Sequence, residues 1–181
     1  MSTPLAPATD LVERARRLVH DVPDYPQPGV VFKDITPLLA DGPTFAAVVR
    51  HMVARAPADI DLVVGVEARG FILGAPVALG LGAGFVPVRK EGKLPRATFA
   101  GAYDLEYGSA VLEVHADVIP RGARILVVDD VLATGGTAAA TAELLELAGG
   151  VVVGLAFLME LTFLHGRDKL AGRELDVLLT Y

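Results

Sequence analysis

The chain has 181 residues, a formal net charge of −6 and a sequence pI ≈ 5.1, with no cysteine. The length suits one domain with a sizeable core. The acidic balance without a basic tract argues against nucleic acid as a partner. Lack of cysteine excludes disulfides and zinc–thiolate sites and fits a reducing cytoplasm. The opening residues show no basic region followed by an apolar core, so no signal peptide is expected.

Residues 1–8 contain Pro4 and Pro7 and read as loose. Thr9 or Asp10 can cap a helix reaching about residue 19, its apolar positions Leu11, Ala15, Leu18 and Val19 at helical spacing. Prolines punctuate 21–29, which predicts loop. Pro43 suits the first turn of a helix running to about 56. A buried strand over 61–66 and a turn at 67–70 come next. Residues 71–88 are uncharged and just long enough to span a bilayer, but Pro76, Gly80, Gly82, Gly84 and Pro87 interrupt them. The better reading is a buried helix over 71–81 and a buried strand over 85–89. Residues 92–102 lack periodicity and predict a long loop, often a functional or mobile feature. Residues 108–115 alternate and suggest an antiparallel excursion. Strands are predicted over 125–130, 151–161 and 176–181, with a helix over 138–150 and a turn or short helix over 166–170. Strands alternating with helices imply an α/β protein with a mostly parallel, helix-covered central sheet. No internal repeat or linker is visible.

The most informative stretch is 125–137. An apolar strand ends in the adjacent acids Asp129 and Asp130, and Ala133, Thr134, Gly135, Gly136 and Thr137 lead into a helix. Ligands of open α/β sheets sit beyond the carboxyl ends of strands. Helix N-terminal amides and glycine-rich turns suit a phosphate. Two acids beside a phosphate cradle would repel it, so they fit sugar hydroxyls and a hard cation such as Mg²⁺. The loop as a whole therefore fits a sugar phosphate.

Other motifs carry less. Gly80 to Gly84 superficially matches a dinucleotide fingerprint but follows a helix and precedes a strand, so it reads as turn chemistry. Gly92-Lys93 lacks the other residues of a P-loop. His20, His51, His115 and His165 have no metal-ligand spacing, and neither Ser2 nor Ser109 has a nucleophile-elbow context. Positive charge is concentrated in Arg69, Arg89, Lys90, Lys93 and Arg96. On residue type alone, Arg89, Lys90 and Lys93 are a solvated charge run, and Glu106 with Tyr107 is an ordinary surface pair.

The run 125–137 resembles the phosphoribosyl pyrophosphate motif of type I phosphoribosyltransferases. Pro28-Gly-Val-Val-Phe-Lys-Asp-Ile-Thr36, Gly65-Val-Glu-Ala-Arg-Gly-Phe71, Val88-Arg-Lys-Glu-Gly-Lys-Leu-Pro95 and Tyr103-Asp-Leu-Glu-Tyr-Gly108 narrow the resemblance to the adenine-specific branch, matching in order and spacing from about 23 to 161. The resemblance implies a type I phosphoribosyltransferase fold in a single domain. An N-terminal helix and base-binding hood would occupy about 1–35, and a flexible catalytic loop about 92–106. It implies transfer of the 5-phosphoribosyl group to adenine, giving AMP and pyrophosphate. It makes Glu106 the proton-transfer residue, with Tyr107 and Arg69 beside it in catalysis. Asp129 and Asp130 would take the ribose hydroxyls, and Ala133 to Thr137 the 5′-phosphate. Glu67, Ala68, Arg69, Arg89, Lys90 and Lys93 would surround the pyrophosphate, with a non-proline cis peptide at Glu67-Ala68. Val30, Val31 and Phe32 would read adenine. Mg²⁺ would arrive on the substrate without a direct protein ligand. A cytoplasmic homodimer, away from nucleic acid and membrane, completes the picture. The rivals are a phosphoribosyltransferase for another purine and a non-catalytic sensor of phosphoribosyl pyrophosphate.

Overall fold

Residues 8–104 and 109–181 are described in a computed structural model of the chain. They fall into two compact units, Met1–His51 and Met52–Tyr181. In the first unit, helix α1 (Ala8–Arg17) buries Leu11 and Ala15, four residues apart and so on one face. It ends two residues before the expected limit, in a turn where the Leu18 N–H donates to the Ala15 carbonyl at 3.1 Å.

Strand β1 (His20–Pro23) pairs antiparallel with β2 (Val31–Asp34). The expected loop over 21–29 therefore begins inside a strand. A two-stranded ribbon tolerates Pro23 because it closes the strand, where a missing N–H interrupts no longer ladder. Beyond it, the Asp24 carboxylate accepts the Gly29 N–H at 2.8 Å and closes the connection. A short helix α2 (Thr36–Ala40), not foreseen, follows a turn in which the Asp34 carboxylate accepts both the N–H (2.9 Å) and the hydroxyl (2.6 Å) of Thr36. Helix α3 (Gly42–Arg55) holds Pro43 in its first turn as expected, and the Asp41 carboxylate accepts the Thr44 N–H at 2.9 Å.

The second unit is built on a seven-stranded sheet. Its strands are β3 (Leu62–Val66), β4 (Gly84–Lys90), β5 (Thr98–Asp104), β6 (Ser109–His115), β7 (Arg124–Leu132), β8 (Val151–Glu160) and β9 (Leu175–Thr180). Their order is β5-β6-β4-β3-β7-β8-β9, parallel from β4 to β9 and antiparallel around β6. Helix α4 (Arg69–Leu81) packs on β3 and β7, and helix α5 (Gly136–Leu147) on β5, β6, β7 and β8. Val64, Val66, Val86, Val88, Val127 and Phe157 form the core with Leu144 and Leu145 of α5. Near-continuous apolar strands are what a sheet covered on both faces requires.

The uncharged run 71–88 is a helix and a strand, and no helix among the described residues is long and apolar enough to cross a membrane. The predicted loop 92–102 is loop only as far as residue 97, because β5 begins at Thr98. Its sequence, with Gly101 and two alanines, has little periodicity of its own, and the alternating β6 supplies the register through pairs such as Phe99 with Val114.

Candidate active site

The carboxyl ends of β3, β4 and β7 meet around a cavity of about 520 Å³ lined by Glu67, Ala68, Arg69, Lys90, Asp129 to Gly135 and Thr137. The long strand β7 delivers the two acids there. The buried Asp130 carboxylate holds Oδ2 at 2.6 Å from Nε of Arg69, an ion pair without hydrogen-bond alignment. That oxygen accepts no hydrogen bond among the described residues. Asp129 Oδ1 accepts the Asp130 N–H at 2.9 Å. Burial raises both carboxyls above the usual range, Asp129 well above it, and the adjacent Asp130 charge pushes Asp129 further. Arg69 offsets part of the rise in Asp130. An under-satisfied acid pair is suited to hydroxyl donors, since each new hydrogen bond relieves a desolvated charge.

The turn expected to take a phosphate opens a helix. Gly135, in the left-handed region at φ 78°, precedes α5, so the first amides of the helix lack intrahelical acceptors and face an incoming anion. Ala133, Thr134, Gly135 and Thr137 line the cavity, while Gly136 begins the helix.

The third group of residues is drawn together by Glu67. Its carboxylate accepts Arg89 Nε at 3.2 Å, the Lys90 N–H at 3.1 Å and the Lys93 ammonium. Arg89 also donates to the Lys93 carbonyl at 3.1 Å. Burial alone would raise the Glu67 carboxyl, but hydrogen bonds from Lys93, Lys90 and Arg89 outweigh it and hold the group below its ordinary value. The Glu67-Ala68 peptide is cis, at the position the resemblance implies. Arg96 belongs elsewhere: it pairs with Asp117 and does not line the cavity. Glu106 and Tyr107 lie outside the described residues.

The segment expected to read adenine lies in the first unit. Val31 is half exposed, and Phe32 meets Tyr25 edge to face with ring centroids 5.2 Å apart. Val30 spends its N–H on Gln27 and its carbonyl on Tyr25, both at 3.2 Å. Val31 is paired in register with Pro23, which has no N–H, so its carbonyl receives no bond from β1. The sequence reading prefers Val31 to Val30 and groups Glu67 with Arg89, Lys90 and Lys93, but it does not show that Glu67 itself gathers the cations, because Glu67 lies 22 residues from Arg89.

No group of three or more His, Cys, Asp or Glu side chains positioned to hold a metal occurs among the described residues. What the acid pair provides is Asp130 Oδ2, which faces Arg69 but accepts no hydrogen bond among the described residues. That donor set fits a cation coordinated chiefly by a polyphosphate and water, as Mg²⁺ commonly is.

The phosphoribosyl transferase domain family matches residues 38–177. An adenine phosphoribosyltransferase of Thermobifida fusca is 59% identical over 96% of this chain and 99% of its own length. The crystal structure of the Thermoanaerobacter pseudethanolicus adenine phosphoribosyltransferase superposes with a TM-score of 0.91 at 46% identity, covering 94% of this chain and 99% of that one. The Saccharomyces cerevisiae enzyme, complexed with an imino-altritol bisphosphate and adenine, gives a TM-score of 0.87 at 38% identity over 94% and 99% of the two chains. An acid pair, a glycine turn opening a helix and a cis peptide at the carboxyl end of the sheet are thus found in a chain that belongs to the phosphoribosyltransferase family, among the adenine phosphoribosyltransferases.

Proposed function

We propose that this chain transfers the 5-phosphoribosyl group of phosphoribosyl pyrophosphate to adenine, releasing AMP and pyrophosphate. The bond from the anomeric carbon to pyrophosphate breaks, the bond to the purine nitrogen forms, and that nitrogen loses its proton. The observation that carries the reading is the under-satisfied Asp129–Asp130 pair beside the N-terminus of α5, within one cavity. The acids hold the ribose hydroxyls and the loop from Ala133 to Thr137 the 5′-phosphate. Arg69, Arg89, Lys90 and Lys93 stabilise charge on the departing pyrophosphate. Mg²⁺ bound to the pyrophosphate, with Asp129 and Asp130 nearby, would neutralise further charge on the leaving group. Glu106 exchanges the purine proton, with Tyr107 beside it. Because the anomeric carbon turns oxocarbenium-like, a hydroxyl clamp that fixes the ribose matters as much as the charge at the leaving group.

Adenine selection rests on Val31 and Phe32. Adenine offers an amino donor and a ring acceptor side by side, and an extended residue offers a carbonyl and an N–H. The Val31 carbonyl, without a partner from β1, suits this better than Val30, while Phe32 stacks on the base. Oxopurines reverse both groups. Two mispaired buried groups at ~1–3 kcal/mol each give roughly 2–6 kcal/mol, or about 30-fold to 10⁴-fold in kcat/KM.

This reading includes a homodimer in the cytoplasm. Ile72 and Leu79, seven residues apart and exposed on one face of α4, support a self-associating surface, and the cysteine-free sequence suits a reducing compartment. Pyrophosphate release measured across a panel of purines, for the wild type and Phe32→Ala, tests the function. Adenine preferred by at least about 30-fold is the expected result. Use of hypoxanthine or guanine within about tenfold of adenine would instead favour another purine as substrate. No release with any purine, together with tight binding of phosphoribosyl pyrophosphate, would favour a sensor.

A further inference from the structure

Two glycines 31 positions apart, Gly135 of the loop from Ala133 to Thr137 and Gly166, are in backbone contact. A Cβ on Gly166 would stand 2.2 Å from the Ala133 carbonyl oxygen and 3.0 Å from the Gly135 nitrogen. A Cβ on Gly135 would stand 2.2 Å from the Gly166 carbonyl oxygen. Backbone atoms cannot swing aside as a flexible side chain can, so neither site accepts a methyl group unless the loop moves.

The segment carrying Gly166 is itself held firmly. Gly166 is buried and opens a 3-10 turn, Gly166–Leu170, that packs on α5 and ends with Leu170 in the core. Arg167, the next residue, donates Nε to both oxygens of Glu160 at 2.9 and 2.8 Å. Glu160 is buried at the end of β8, and the Leu161 N–H after it donates to the Leu132 carbonyl of β7 at 2.9 Å. Thr162 is tied to the Tyr181 carbonyl through its N–H and its hydroxyl, at 2.9 and 2.7 Å. The carboxylate of Glu160 thus fixes Arg167, Arg167 fixes Gly166, and Gly166 abuts the loop from Ala133 to Gly135.

We infer that Gly166, held in place by the Glu160–Arg167 pair, is a positioning residue that sets where the 5′-phosphate loop stands relative to Asp129 and Asp130. The inference rests on the phosphoribosyl reading of the cavity. Gly166 does not line the cavity. Displacing a loop by the width of a methyl group moves its amides by more than the tolerance of tight anion binding, and misplacements of about 1 Å can cost about 10²-fold.

The experiment compares Gly166→Ala with Gly172→Ala. Gly172 sits in a nearby exposed turn at φ 82° with open space around its Cβ position, so alanine there strains the backbone without touching the loop. Both variants should melt lower. Only Gly166→Ala should raise KM for phosphoribosyl pyrophosphate, by about 10–100-fold, with KM for adenine changing less than about threefold. Calorimetric affinity for ribose 5-phosphate should fall in parallel. Arg167→Lys, which keeps the charge, should show the same split at smaller size, and Arg167→Met a larger one. These two keep the test decisive if Gly166→Ala does not fold. An unchanged KM for phosphoribosyl pyrophosphate in folded Gly166→Ala, or in both Arg167 variants, overturns the inference, as does a shared rise in both KM values. Wild-type protein that fails to bind ribose 5-phosphate at all would overturn the reading of the cavity itself.

Discussion

Two carboxylate centres stand at the carboxyl end of the sheet under opposite electrostatics. The Asp129–Asp130 pair has one cation, Arg69, between two adjacent acids, and its pKa values are raised by burial and mutual repulsion. Glu67 is less enclosed and is surrounded by Arg89, Lys93 and the Lys90 N–H, and its pKa is lowered. The first centre has fewer donors than two carboxylates can accept, and the second has three converging on one carboxylate. A ligand with hydroxyls at one end and a polyphosphate at the other would complete both, hydroxyls supplying donors to the aspartates and phosphates drawing cations away from Glu67. In the free protein, Glu67 acts as a stand-in anion that keeps the basic cluster gathered.

The largest effect should come from removing the donor-poor centre. Asp129→Asn with Asp130→Asn should lower AMP formation by about 10²–10⁴-fold, from two lost charged hydrogen bonds at ~1.5–3 kcal/mol each. Circular dichroism should be unchanged. Near-wild-type turnover in that variant would remove the sugar-hydroxyl role. The third carboxylate, Glu106, should behave differently from both: Glu106→Gln should lower kcat by about 10²–10⁴-fold with substrate affinity little altered, the mark of a proton-transfer group. A drop confined to KM would make it a loop-positioning residue.

Stability against pH sharpens the contrast further. Asp129 has a raised pKa when folded, so its ionisation opposes folding as pH climbs from its unfolded value of about 4 through the raised one. Asp129→Asn should therefore melt above the wild type at neutral pH, with the gain fading toward pH about 4. Glu67 has a lowered pKa, so its contribution is complete above its unfolded value and disappears as pH falls through the folded one. Glu67→Gln should melt below the wild type at neutral pH, and that deficit should close on acidification. Melting curves at a series of pH values give both signs, and differences of the same sign would end the comparison.

Glu67→Gln also frees the basic cluster. Pyrophosphate should inhibit this variant about three- to tenfold more strongly, equivalent to ~0.7–1.4 kcal/mol. Weaker inhibition would mean that Glu67 shapes the pyrophosphate site and does not compete with it. The smallest effect belongs to Arg96, whose partner Asp117 is more than half exposed. Arg96→Ala should leave turnover within about twofold of wild type, since exposed ion pairs contribute little.

What could be read from the chain by itself was whatever is contiguous. An apolar strand, two acids, a glycine turn and a helix follow one another in 125–147, so β7, the acid pair and the turn that opens α5 are legible together. The same holds for α4 and β4, where glycine and proline positions separate helix from strand. Strands β1 and β5 were hidden because proline or weak alternation obscured them and only a partner strand makes each one. Tertiary structure alone decided which cations reach which acids. Arg89 and Lys93 meet Glu67 across 22 and 26 positions, while Arg96, three residues beyond Lys93, turns away to Asp117. It alone decided, too, that Gly135 and Gly166 touch. Local sequence sets dihedral preferences and the alternation of faces, but ion pairing and backbone contact depend on distances that exist only once the sheet has brought the strand ends together.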